Sequence, residues 1–215
     1  MVYIIEHYGI KSGILVIDDT DNERSKNTTE IAKAHKIKDK RSGGFFNGQS
    51  IIFLLLVSDE LTIPIGFKFY EPDPAKRAWH KEDKRLRQNG VEKQYRPDQP
   101  KYDPSYPTKK ELALKLIEEF CNNYKTIKVK AVAADALYGI REFMKGAAEY
   151  TGESQVISQI AKTQLINVNG KYVPIGKFFE NYSGRTEEVE LRHNKQKISY
   201  CSAKFKAKYT MVNII

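Results

Sequence analysis

Cysteine is almost missing from this chain: Cys121 and Cys201 are the only two thiols in 215 residues. A pair so sparse and so far apart excludes a disulfide framework and a cysteine-type zinc site. Histidine is scarce too, and His7, His35, His80 and His193 share no metal-ligand spacing. No apolar stretch approaches the roughly 20 residues of a membrane-spanning helix. The opening Met1-Val2-Tyr3-Ile4-Ile5-Glu6-His7 lacks the basic-then-apolar pattern of an export signal. A cytoplasmic protein without a membrane partner is therefore expected. Internal repeats are absent as well.

Acidic charge is the minority sign. The chain carries 27 Asp and Glu against 36 Lys and Arg, a formal net charge of +9. That excess favours a polyanionic partner, nucleic acid first. Residues 191–215 hold no acid but include Arg192, Lys195, Lys197, Lys204, Lys206 and Lys208. The two-residue spacing of Lys195 with Lys197, and of Lys204, Lys206 and Lys208, places each set on one face of a strand. Such a face either contacts DNA phosphates or guards a strand edge against aggregation.

Periodicity predicts three early strands, over residues 13–17, 45–57 and 61–70. A polar, basic loop spans 22–41. The unbroken apolar run Ile51-Ile52-Phe53-Leu54-Leu55-Leu56-Val57 reads as a strand covered on both faces. Residues 71–107 hold six of the eight prolines. They are expected as extended surface loop around a short helix at 75–88. Trp79, Tyr95 and Tyr102 in this segment either anchor the loop or stack on unpaired bases. Thr108-Lys109-Lys110-Glu111 is a capping box that opens a helix with an apolar stripe of Leu112, Leu116, Ile117, Phe120, Cys121 and Tyr124. A second apolar strand ends in Asp135, followed by a helix at 140–150 and a strand at 155–160. Short β segments and one brief helix at 176–181 complete the chain. An antiparallel meander followed by alternating helices and strands fits an α/β fold of RNase H-like type, with a β-rich insertion at its end, better than a Rossmann sheet. The core is assigned to residues 1–160 and the incomplete insertion to 161–215.

Two strand ends carry the chemistry. Ile14-Leu15-Val16-Ile17 delivers Asp18 and Asp19, and Val129-Lys130-Ala131-Val132-Ala133-Ala134 delivers Asp135. Ligands gather at such strand ends in α/β sheets. A single aspartate there is more often a cap or turn residue. Two on a basic chain fit a Mg²⁺ or Mn²⁺ site for phosphodiester chemistry, in which two ions clamp the attacking and leaving oxygens.

These residues resemble a known family. Ile17-Asp18-Asp19-Thr20 resembles the first-aspartate motif of IS4-type transposases with a DDE triad, and Ala134-Asp135-Ala136-Leu137-Tyr138-Gly139 resembles their second. Gly48-Gln49-Ser50, Phe69-Tyr70-Glu71-Pro72-Asp73-Pro74, the Trp79 segment, Thr108-Lys109 and Ser158-Gln159-Ile160 agree with it. The resemblance covers nearly the whole chain. It implies a retroviral-integrase-like fold, Asp18 and Asp135 as catalytic metal ligands, and a two-metal Mg²⁺ or Mn²⁺ cofactor. It also implies hydrolysis and strand transfer at transposon ends, with DNA as partner and a homodimer in the DNA complex. The family spacing selects Asp18, with Asp19 as second candidate. The third acid of the family stands in a pattern not found here. Glu142 and Glu149 read as solvent-face residues, and Glu187, Glu188 and Glu190 fall in the insertion. The chain thus reads as a fragment truncated at both ends, with its catalytic Glu expected past Ile215.

Two alternatives stay open: a DNA-binding transposase remnant that does not cut, and a haloacid-dehalogenase-type phosphatase using Asp19 as nucleophile and Asp21 as acid. The acidic run from Asp19 to Glu30 matches calcium-loop offsets, but Arg24 stands where glycine is required.

Overall fold

The apolar run that ends in Asp18 and Asp19 extends into a 12-residue strand, β1 (Ser12–Glu23), after a short helix, α1 (Val2–His7). In this computed structural model the described residues are 2–25, 30–39, 41–184, 186–190, 195–201, 203–207 and 211–214. The chain divides into two compact units, Met1–Ser158 and Gln159–Ile215.

In the first unit β1 is followed by β2 (His35–Lys38), β3 (Phe45–Val57), β4 (Thr62–Tyr70), α2 (Pro74–Gln88), α3 (Lys109–Asn123), β5 (Lys128–Ala134), α4 (Arg141–Tyr150) and β6 (Gln155–Ser158). The unit is mixed α/β, with a mixed sheet of six strands. The expected meander is present: β1 pairs antiparallel with β3, and β3 with β4. On its other side β1 pairs parallel with β5, and β5 parallel with β6. Residues 22–41, expected as loop, contain β2, which pairs with Phe45–Gly48 at the start of β3. Only Ile37 of β2 is buried, so four residues with two lysines gave no strand signal against a basic background.

The unbroken apolar run of β3 predicts cover on both faces, but its observed burial alternates. Ile52, Leu54 and Leu56 are buried, while Ile51, Phe53, Leu55 and Val57 are only half-buried. The buried row joins Leu15 and Ile17 of β1, Leu112, Leu116, Ile117 and Phe120 of α3, and Phe143 and Ala147 of α4 in one core. Both helices pack on that face and on each other. Gly146 permits the approach, because a Cβ there would lie 3.1 Å from the Leu114 side chain. The opposite face keeps Phe67 58% exposed.

The proline-rich segment behaves as its turn chemistry dictates. Asp73 caps α2 by accepting from Ala75 and Lys76 backbone N–H groups, and Pro74 fills the first turn, where its missing donor costs nothing. None of the 15 residues of α2 is buried. A 3-10 turn at Lys93–Tyr95 follows.

The second unit contains β7 (Leu165–Val168), β8 (Lys171–Pro174), α5 (Ile175–Glu180), β9 (Thr186–Glu190), β10 (Lys197–Cys201), β11 (Ala203–Ala207) and β12 (Met211–Ile214). It holds a four-stranded sheet in the order β12-β11-β7-β8 and the β9–β10 ribbon. Its small core is Ile166 and Ile175, with Ile160, Val168, Val173, Phe178 and Phe179 packed around them. No helix among the described residues is long and apolar enough to cross a membrane.

The capping box of α3 is formed in full. Thr108 Oγ1 accepts from Glu111 N–H, and Glu111 Oε2 accepts from Thr108 N–H at 2.7 Å. Partial burial works to raise the Glu111 carboxyl, but hydrogen bonds from Thr108 and the Tyr102 hydroxyl outweigh it and hold the group below its ordinary 4.5. A lowered folded value means this stabilisation is present above the ordinary range and lost as pH falls through the folded value. Thr108→Ala should therefore cost about 1 kcal/mol at neutral pH, measured by urea unfolding. The difference between the two proteins should narrow as pH falls through the lowered folded value of Glu111, where the Thr108 bonds to its carboxylate are lost.

Candidate active site

The register of β1 against β5 builds the site. Ile17 stands beside Ala134 as the last paired position, so the next residues, Asp18 and Asp135, leave adjacent parallel strands at one level. Strand alternation then separates the β1 carboxylates. Asp19 and Asp21 continue the buried row of Leu15 and Ile17, whereas Asp18 belongs to the opposite row and is exposed. Asp18 Oδ1 accepts from the Asp19 N–H at 2.8 Å.

Asp135 caps a 3-10 turn over Ala136–Tyr138, its Oδ1 accepting from Leu137 N–H at 2.9 Å. Ser158 Oγ, at the end of the neighbouring β6, donates to the Asp135 carbonyl at 2.6 Å. The aspartate is thus held on two sides, its carboxylate by the Leu137 N–H and its carbonyl by the Ser158 hydroxyl. The cap reading of a lone strand-end aspartate is physically realised here, and it leaves the residue exposed beside β1.

The same turn carries Tyr138 into the core. The residue is 0% exposed, and its ring packs at a tilt against Phe143, with centroids 5.0 Å apart. Its hydroxyl is buried without a hydrogen-bond partner among the described residues. Burial pushes the phenol well up, and the carboxylates of Asp19, Asp135 and Asp18, in that order, push it further. An orphan hydroxyl is therefore within electrostatic reach of all three acids. Buried polar groups are almost always paired, so this one marks a place where water or a ligand belongs.

Lys109, in the first turn of α3, is the cation of the cluster. Its Nζ is bonded to Asp19 Oδ2, lies 4.0 Å from Asp21 Oδ1, and sits 5.6 Å from the Tyr70 ring centroid. The buried Ser50 Oγ donates to Asp21 Oδ1. Among the described residues no three His, Cys, Asp or Glu side chains converge to hold a metal unaided. Two carboxylates nevertheless suit Mg²⁺, which dehydrates reluctantly and is commonly held by one or two carboxylates. The orphan Tyr138 hydroxyl fits such a hydrated ion. Sequence reasoning gave Tyr138 and Lys109 no role of their own. Their signals were a tyrosine three residues after the aspartate and a lysine in a helix turn that favours acids.

The predicted DNA-facing residues are placed differently from one another. Lys197 opens β10 opposite Glu190, but Lys195 is not in a strand. It has a φ of 57° in the connection before β10, and its Nζ is 3.6 Å from Glu190 Oε1. The shared strand face expected for Lys195 and Lys197 is therefore corrected: the chain turns at Lys195, and Glu190 faces both lysines. Lys204 and Lys206 occupy β11, which pairs with β12 on one side and β7 on the other. The backbone of β11 puts them two apart as expected, but inside the sheet and not on an edge. Their side chains, and Arg192, His193 and Lys208, lie outside the described residues. Trp79 Nε1 donates to the Pro97 carbonyl at 2.7 Å, tying α2 to the loop after it.

A basic face that the sequence reading did not single out lies on α2. Arg85 and Arg87 are paired with Glu82 and Asp83, and Arg96 also pairs with Asp83. Arg77, Lys81 and Lys84, at i, i+4 and i+7 on one helix face, are exposed and form no ion pair among the described residues. The signal was present in the spacing but diluted by the acids on the other face.

No protein-family model matches the chain, and no curated protein or solved structure is significantly similar to it.

A buried hydroxyl without a partner is a net cost in the metal-free protein. Tyr138→Phe should therefore stabilise the chain, by about 1 kcal/mol, when urea unfolding is followed in a chelating buffer. Destabilisation instead would mean that the hydroxyl is bonded in solution.

Proposed function

We propose that this chain is catalytic core from a DDE-type DNA transposase with an RNase H-like sheet. The observation that carries the reading is the delivery of Asp135 and the Asp18-Asp19 pair at the ends of two adjacent parallel strands, beside a buried orphan hydroxyl. The strand order β4-β3-β1-β5-β6, an antiparallel meander of three strands followed by two strands parallel to β1, supports the fold assignment. The motifs around Asp18 and Asp135 support the family.

Asp135 and a β1 aspartate would hold Mg²⁺ or Mn²⁺, which when bound supplies charge stabilisation to the attacked phosphodiester and a more acidic water or hydroxyl. Asp19 is the better partner on physical grounds. It is bonded to Lys109 and continues the row of Leu15 and Ile17, while Asp18 is turned to the other row. Asp18, selected by motif spacing, remains adjacent to Asp135 in the register and is tested beside it. The chain's own residues do the positioning. Leu137 N–H and Ser158 Oγ fix the turn that presents Asp135, and Ser50 orients Asp21. The third acid that the resemblance implies is proposed to lie outside residues 1–215, because Glu142 and Glu149 are solvent-facing on α4.

DNA is the proposed partner, met by the Arg77, Lys81 and Lys84 row of α2, with Lys197, Lys204 and Lys206 as further candidates. The phosphatase alternative needs a parallel neighbour on each side of the Asp19 strand, and β3 runs antiparallel, so nothing favours it.

In the catalytically complete protein, Asp135→Ala should abolish Mg²⁺-dependent nicking of plasmid DNA and leave DNA affinity within about twofold. A mutant that still nicked would sink the assignment. Asp19→Asn should match it, and Asp18→Asn should retain more activity. Replacing Arg77, Lys81 and Lys84 by Gln should weaken DNA binding and lower the salt slope by about 3. An unchanged slope would remove α2 from the interface.

A further inference from the structure

The Lys109–Asp19 pair has no obvious structural reason to involve a lysine at this position. The first turn of a helix has a partial positive charge, and a basic residue there is disfavoured. Lys109 is the first residue of α3 and Lys110 the second. The Lys109 side chain is nevertheless withdrawn from solvent to 21% exposure, against an Asp19 side chain at 16%. What holds it is acid on the strand side: Asp19 in contact, Asp21 at 4.0 Å, and the Tyr70 ring face at 5.6 Å. The orphan hydroxyl of Tyr138 is an independent mark that the same carboxylates are built to receive something more.

We infer that the Lys109 ammonium is the resident cation of the aspartate cluster, and that a divalent cation binds by displacing it from Asp19. The inference rests on the metal-dependent reading above and adds a regulatory feature to it. Without a counter-ion, Asp19 and Asp21, which share one row of β1, would repel one another at this end of the sheet, with Asp18 and Asp135 leaving the adjacent strands beside them. The ammonium lets this end fold and stay ordered with no metal bound. Its flexible stem allows the charge to leave while the α3 backbone stays fixed by the capping box. The Tyr70 face is a nearby place for the cation to rest. Competition from Lys109 keeps metal affinity below what the bare carboxylates would give.

The test is a Mn²⁺ titration of the whole chain, with free Mn²⁺ read by electron paramagnetic resonance and thermal melting recorded alongside. Lys109→Gln should bind Mn²⁺ about tenfold more tightly than the unaltered chain, the size of an ordinary site-to-site coupling. It should melt lower without metal and regain the loss with it. Lys109→Arg, which grips a carboxylate with two donors, should bind more weakly than the unaltered chain. If the unaltered chain binds Mn²⁺ and Asp135→Asn removes that binding, while Lys109→Gln binds no more tightly, the displacement idea is overturned and the metal site stands. If Lys109→Gln does not fold, an unchanged affinity in Lys109→Arg overturns it equally. If the unaltered chain binds no Mn²⁺, or binds it regardless of Asp135, the metal-dependent reading falls and takes this inference with it.

Discussion

Everything in the first unit depends on β1 being paired along both edges, antiparallel to β3 and parallel to β5. The antiparallel side fixes the register over ten residue pairs, from Ile14 with Val57 to Glu23 with Gly48. A slip of one residue would exchange the rows and drive Asp18 into the core in place of Ile17. The parallel side then determines where Asp135 emerges. Parallel pairing requires a crossover between strands, and α3 fills it, bringing Lys109 to the end of β1 where the carboxylates appear. One strand's pairing therefore assembles residues that are 90 and more positions apart in sequence.

Charge is arranged against the average. A chain of net charge +9 places Asp18, Asp19, Asp21 and Asp135 at one end of one sheet, where only local compensation can stabilise them. The exposed cations of α2 cannot provide that compensation. Lys109 can, because it is partly withdrawn from water, where screening is weaker and a charge pair is stronger. Repulsive carboxylates and an unsatisfied phenol reduce stability, and such expense is characteristic of functional sites. The rest of the core is ordinary by comparison: alternating aliphatic rows under two amphipathic helices.

How much of this was legible in the sequence depended on how local each signal was. The meander, the capping box at Thr108, the basic helix after Asp73 and the strand before Asp135 are written in patterns within about a dozen residues, although β1 runs six residues past the expected end at Ile17. β2 was illegible because four residues with one apolar side chain carry no period. The one-sided cover of β3 was illegible because an unbroken apolar run does not say which face a helix will reach. At the site, the pair of strand ends could be read, but not which β1 aspartate faces inward. Alternation from Leu15 and Ile17 identifies Asp19 once the buried row is known. The Lys109 contact and the buried Tyr138 hydroxyl are long-range outcomes of packing with no sequence pattern of their own. The lysine pattern near the end misled for a related reason: period two implies a strand, and the chain turns at Lys195.

The central claim is that Asp135 and a β1 aspartate form one cation site. Crystals of the chain soaked in Mn²⁺ and measured at the manganese absorption edge test it most directly. The account predicts an anomalous peak within coordination distance of the Asp135 carboxylate and of Asp19, with the Lys109 ammonium moved away from Asp19. No peak at that strand end, or a peak only at surface acids such as Glu190, would contradict it.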